Sequence, residues 1–199
     1  MHPTLFRAVP VTDSSIQGEP QSARGTTRMP MNVPYVIDNV WEYLRPEAMP
    51  CRRHAVYASP TPMLAASYIT ASAKGRGTAV YQLVISGTAK VAQLAVEDAK
   101  LHPDIRAVGA IVQASCAELM DSPWDAKQAA AVLFMPGASK ADLRRCVEGS
   151  PFAAEFIRQA SAKSTFWWDA KVGVFNPTGE VFFELAAHST YVLKSLATA

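Results

Sequence analysis

Charge is scarce in this chain. Only 18% of its 199 residues are Asp, Glu, Lys or Arg, and 19 basic against 17 acidic groups leave a formal net charge of +2. Sequence-independent nucleic-acid binding calls for a long Lys/Arg stripe. Here basic residues gather only locally, at Arg52 and Arg53 and at Arg144 and Arg145. Nucleic acid is therefore an unlikely partner, and a basic turn suited to one phosphorylated ligand fits better. Cysteine is sparse and odd in number: Cys51, Cys116 and Cys146 are too far apart for a zinc knuckle and too few for a disulfide framework. Folding in a reducing compartment follows. His2, His54, His102 and His188 lack metal-ligand spacing, so no metal is expected. No run approaches the roughly 20 apolar residues of a membrane span. The opening MHPTLFRAVPVTD lacks the basic-then-apolar order of a cleaved signal peptide. The expectation is a protein that is cytoplasmic as made, with delivery to another cell by a signal-peptide-independent route left open.

What is present is core-forming material. An apolar fraction of 49% suits one domain over residues 1–199, burying roughly 70% of its extended-chain surface. TLFRAVPV alternates as a strand, with Leu5 and Arg7 on one side and Phe6 and Ala8 on the other. Residues 12–33 are polar, punctuated by Gly and Pro and without period, which predicts a flexible loop or arm. YVIDNVWEYL carries a helical stripe of Val36, Val40, Trp41 and Leu44 that Pro46 ends. HAVYAS reads as a strand, and TPMLAASYITASAKG as a helix with Pro62 at its first position and Gly75 at its end. GTAVYQLVISG is the clearest strand. The middle is mostly helical: Ser122 and Pro123 open one helix, and GSP breaks the region after it. The stretch from TFWWDAKVGVF onward reads as strands with turns at NPTG and AAHS. The order predicts an α+β fold.

Several side chains are suited to chemistry. Arg7 interrupts an apolar strand, and a cleft-facing guanidinium offers a planar fork for phosphate or ribose. The plain alternative is an edge strand with its charge in water. Tyr57, Ser59 and Thr61 alternate through a strand end and turn, so they share a face if the strand persists. Taken alone, a half-buried tyrosine and a helix-capping hydroxyl explain them better. Glu180 opens the strand after NPTG, where a carboxylate can face positive charge developing on a sugar carbon. Glu184 suits an edge position.

In chain order, Arg7 in LFRAV, Tyr57, Ser59 and Thr61 in VYASPT with the helix PMLAASY, and Glu180 in GEVFFELAAHSTYVLKSL resemble the ADP-ribosyltransferase superfamily, in its small bacterial transferases and toxins. The resemblance implies a split antiparallel β core around an NAD cleft with peripheral helices. It also implies NAD as cofactor and ADP-ribosyl transfer to a protein acceptor with release of nicotinamide. Glu180 and Arg7 are the implied catalytic residues, and Arg7, Tyr57, Ser59 and Thr61 the implied NAD contacts. Thr178 stands where many protein-modifying members carry Glu or Gln two residues before the catalytic Glu, which points away from arginine as the acceptor.

LFRAVP and VYASPTPMLA are also similar to the RES-domain toxins, which consume NAD, although their Gly-Arg-Trp-Asn segment is missing. That similarity keeps NAD hydrolysis as an alternative. A non-catalytic, protein-binding effector on the same scaffold is the other. Trp167 and Trp168, adjacent on an expected strand, would then put one ring in the core and the other outside as an anchor.

Overall fold

The computed structural model describes residues 3–10, 18–23, 25–28, 32–72 and 77–196. The fold is α+β, with two antiparallel four-stranded sheets. The chain divides into two compact units. One comprises Met1–Thr26, Glu47–Asp98 and Ala170–Ala199, and the other Thr27–Pro46 and Ala99–Asp169.

The first unit holds every described strand: β1 (Leu5–Pro10), β2 (Gln21–Ser22), β3 (Val56–Ala58), β4 (Thr78–Ser86), β5 (Ala89–Gln93), β6 (Lys171–Val172), β7 (Val181–Leu185) and β8 (Thr190–Ser195). They form one sheet in the order β1-β4-β8-β2 and another in the order β3-β7-β5-β6. Alternation decides the packing. Leu5, Val9, Leu83, Tyr191 and Leu193 of the first sheet share a core with Val56, Val91, Val181, Phe183 and Leu185 of the second. Helix α2 (Pro62–Ser72) packs on β1 and β4, and Pro62 is its first residue as the sequence predicts.

The flexible arm expected at about 12–33 lies partly outside the described residues, which omit 11–17, 24 and 29–31. The described part contains β2, whose Gln21 and Ser22 pair with Tyr191 and Thr190. A two-residue strand is specified by its partner's exposed edge, so it leaves no period in the local sequence.

The second unit is helical: α1 (Tyr35–Leu44), α3 (Asp104–Asp121), α4 (Trp124–Ala130), α5 (Lys140–Gly149), α6 (Pro151–Ser161) and α7 (Phe166–Asp169). The break at GSP falls where expected. Ser150 accepts a hydrogen bond from the Ala153 N–H at 3.2 Å, and Pro151 takes the first helical position. α1 is buried more widely than its apolar stripe suggests, since Asp38, Asn39 and Glu42 are buried with Ile37, Val40 and Trp41. Asn39 Nδ2 donates to the carbonyls of Leu133 and Met135, each at 2.8 Å.

The strand expected at TFWWD is instead the short helix α7. Asp104 accepts from the backbone N–H groups of Thr165 (3.0 Å) and Phe166 (3.3 Å). A carboxylate some sixty residues away thus caps the turn. Trp167 Nε1 donates to the Trp41 carbonyl at 2.6 Å, whereas Trp168 is 81% exposed. No described helix is long and apolar enough to cross a membrane.

Candidate functional site

The site is built where the two sheets of the first unit meet. Phe6 and Ser59 exchange two backbone hydrogen bonds, each 2.8 Å, which joins β1 to the end of β3. The β3–β7 register pairs Val56 with Phe183, Tyr57 with Phe182 and Ala58 with Val181. That register ends one residue short of Ser59 and Glu180. The three stretches singled out in the sequence therefore meet along the β3 segment: β7 pairs with Val56–Ala58, and β1 bridges to the next residue, the buried Ser59.

Glu180 is held by its surroundings. Its N–H donates to the Val96 carbonyl at 2.8 Å, and its carbonyl accepts from the Leu94 N–H at 2.9 Å. The preceding loop is clamped by Gln93, which is fully buried. Gln93 Oε1 accepts from the N–H groups of Phe175 (2.7 Å) and Asn176 (2.9 Å). Its Nε2 donates to the carbonyls of Asn176 and Gly179. One side-chain amide thus uses both ends to shape the turn that delivers Glu180.

Gly179 completes that turn. A Cβ there would sit 1.9 Å from the Leu94 carbonyl oxygen, a backbone atom. Gly179→Ala is expected to lower the urea unfolding midpoint by an amount corresponding to about 1–3 kcal/mol, the usual cost of overpacking. An unchanged midpoint would mean that the Leu94 backbone yields without loss.

By strand alternation Glu180, Phe182 and Glu184 share one face of β7, opposite the core residues Val181, Phe183 and Leu185. The segment before β3 covers this face. Cys51 donates its N–H to Glu184 Oε2 at 2.8 Å. The Arg52 guanidinium lies 5.7 Å from the ring centres of both Tyr57 and Phe182, and its Nη1 is 3.9 Å from Glu180 Oε2. Tyr57 stacks on Phe182 and donates its hydroxyl hydrogen to the Arg52 carbonyl at 3.0 Å. Arg52 and Arg53 are both buried, so the pair that reads as a basic turn suited to a phosphorylated ligand belongs to the interior.

Tyr68, from α2, borders the same carboxylate. Its hydroxyl donates to the Glu97 carbonyl, one residue beyond the carbonyl that takes the Glu180 N–H. Burial first, then the charges of Glu180, Asp98 and Glu97, push its hydroxyl well above the usual tyrosine value and keep it protonated.

The other sequence-predicted residues fall as follows. Arg7 lies opposite Tyr81 on the face of β1 that carries Leu5 and Val9. It is half-buried, and its Nη1 donates to the Tyr191 hydroxyl at 3.3 Å. Arg52 is a cation set beside Glu180. Thr61 Oγ1 accepts from the Leu64 N–H at 3.2 Å, capping α2. Among the described residues, no group of three or more His, Cys, Asp or Glu side chains is placed to hold a metal ion.

No family model, curated protein or solved structure matches this chain. Phe182 and Gln93 escaped the sequence reading, which gave Arg52 to a basic turn for a phosphorylated ligand and not to Glu180. The two-residue spacing of Glu180, Phe182 and Glu184 was the available signal for a shared face.

Proposed function

We propose that this protein transfers ADP-ribose from NAD to an acceptor, with release of nicotinamide. The meeting of the β1 and β7 stretches along the β3 segment supports the reading, because these same stretches carry the sequence resemblance to ADP-ribosyltransferases. In the reaction, the ribose C1′–N bond breaks and its electron pair leaves with nicotinamide. A lone pair of the acceptor then bonds to C1′, and the acceptor proton passes to solvent or to Glu180. Glu180 is the carboxylate that faces the ribosyl cation as it develops and holds a ribose hydroxyl. Tyr57 flanks the nicotinamide or its ribose, and Ser59 and Thr61 are the further NAD contacts that the resemblance implies. Arg7, one residue beyond the Phe6–Ser59 bridge, takes a phosphate or ribose oxygen. The bond that reacts is the cofactor's own, and the protein supplies placement and field.

The test is incubation of purified protein with labelled NAD, alone and with cell lysate, followed by separation into protein, nucleic-acid and small-molecule fractions. Label in the protein fraction together with free nicotinamide is the expected outcome. Nicotinamide and free ADP-ribose without any lysate would make water the acceptor. Folded protein that neither binds NAD nor releases nicotinamide would overturn the reading and favour a non-catalytic binder.

A further inference from the structure

We infer that Arg52 is the positioning residue of the candidate active site, fixing the Glu180 carboxylate from a buried shelf of two aromatic rings. This rests on the ADP-ribosyl-transfer reading and adds to it a residue from outside the resembling motifs. The geometry is specific. The outer face of β7 presents Glu180, Phe182 and Glu184 in succession, and the segment Cys51–Arg52 meets each with a matching group. The Cys51 N–H goes to Glu184 at 2.8 Å, the guanidinium lies against the Phe182 ring at 5.7 Å, and Nη1 stands 3.9 Å from Glu180.

The shelf is rigid from below as well. Tyr57 contacts the guanidinium with its ring and ties the Arg52 carbonyl with its hydroxyl. The Arg52 side chain is 8% exposed and that of Glu180 15%, so their attraction is little screened by solvent. At 3.9 Å the contact is coulombic and not a hydrogen bond. It holds the carboxylate's place and charge without demanding a forked geometry. A cation of another shape on the same shelf should therefore serve nearly as well, which separates this role from packing alone.

The experiment compares nicotinamide release by wild type, Arg52→Lys, Arg52→Met and Arg52→Gln, each also combined with Glu180→Gln, with urea unfolding of the same proteins. Arg52→Met and Arg52→Gln should lower kcat by about tenfold or more at nearly constant KM, as expected for a coupled contact pair. Arg52→Lys should stay within about threefold of wild type, because it restores the charge over the rings. In the Glu180→Gln background the Arg52 substitutions should add less than about a twofold further loss. Equal losses in both backgrounds, or a Lys variant as poor as Met, would overturn the proposal, as would Met and Gln variants with wild-type kcat. If Arg52→Met does not fold, the Gln and Lys variants carry the comparison. A folded wild type that releases no nicotinamide sinks the transfer reading instead. The unfolding cycle then decides the pair by itself, and additive effects of Arg52→Gln and Glu180→Gln would show that no coupling exists.

Discussion

Glu180→Gln protein is expected to remain folded and to release nicotinamide about a hundred- to a thousandfold more slowly than wild type. The substitution keeps the size of the side chain and one acceptor oxygen. It removes the negative charge that faces a developing ribosyl cation, and loss of a preorganised charge commonly costs several kcal/mol at roughly 1.4 kcal/mol per tenfold in rate. The backbone placement should survive, because the N–H of Glu180 is held by Val96 and its carbonyl by Leu94, neither of which depends on the carboxylate. Glu184→Gln supplies the contrast. Glu184 accepts the Cys51 N–H through one oxygen, which an amide oxygen replaces, so its release rate should stay near wild type. Arg7→Lys should be damaging, since an ammonium cannot reproduce the guanidinium's paired geometry toward a phosphate. Initial rates of nicotinamide release, after melting curves confirm folding, decide the matter. If Glu180→Gln keeps nearly all its activity while Glu184→Gln loses it, the reactive carboxylate has been assigned one strand turn too early.

How much of this was legible in the sequence depended on how local the cause was. β1, β3, β4 and β7 announce themselves by alternation, and the break between α5 and α6 is written in Ser150 and Pro151. Those are local rules. Arg52 obeys a non-local one: two adjacent arginines before a strand read as a basic turn for a phosphorylated ligand until Phe182 and Glu180, more than a hundred residues on, are brought with Tyr57 against the Arg52 guanidinium. The helix α7 is the same kind of miss, since FWWD reads as strand by composition and becomes a helix when Asp104 caps it. Gln93 lies at the end of β5 in a plain strand pattern, and nothing nearby shows that its amide shapes the Glu180 turn. Residue type and period located the candidate carboxylate, while the groups that hold it became visible only with the pairing of the strands.

Asp104→Ala should destabilise the helical unit by about 3–5 kcal/mol, the range for removing one side of a buried, hydrogen-bonded charge. The carboxylate is 1% exposed and accepts from Trp41 Nε1 (2.8 Å), the Ser164 hydroxyl (2.6 Å) and the Thr165 and Phe166 N–H groups. Truncation leaves those donors in an interior where Trp41 stacks on Phe166 with ring centres 4.0 Å apart and buried His102 packs edge-on to both. At roughly 2–4 °C per kcal/mol, the melting temperature should fall by about 10 °C, and Asp104→Asn, which keeps one acceptor oxygen, should fall between. Tryptophan fluorescence is a suitable probe because Trp41, Trp124, Trp167 and Trp168, all the tryptophans of the chain, belong to this unit. Acid provides the second axis. Burial works against ionisation of Asp104, but hydrogen bonds with His102, Ser164, Thr165 and Trp41 outweigh it and hold the carboxyl well below the usual range. A carboxylate depressed in the folded state contributes its full stability above the unfolded value near 3.9, and loses it as pH falls toward the folded value. The gap in stability between wild type and Asp104→Asn should therefore be constant near neutrality and narrow progressively below about pH 4. A gap that stayed constant through that range would show that the charge of Asp104 contributes nothing, and that its shape alone organises Trp41, Ser164 and the start of α7.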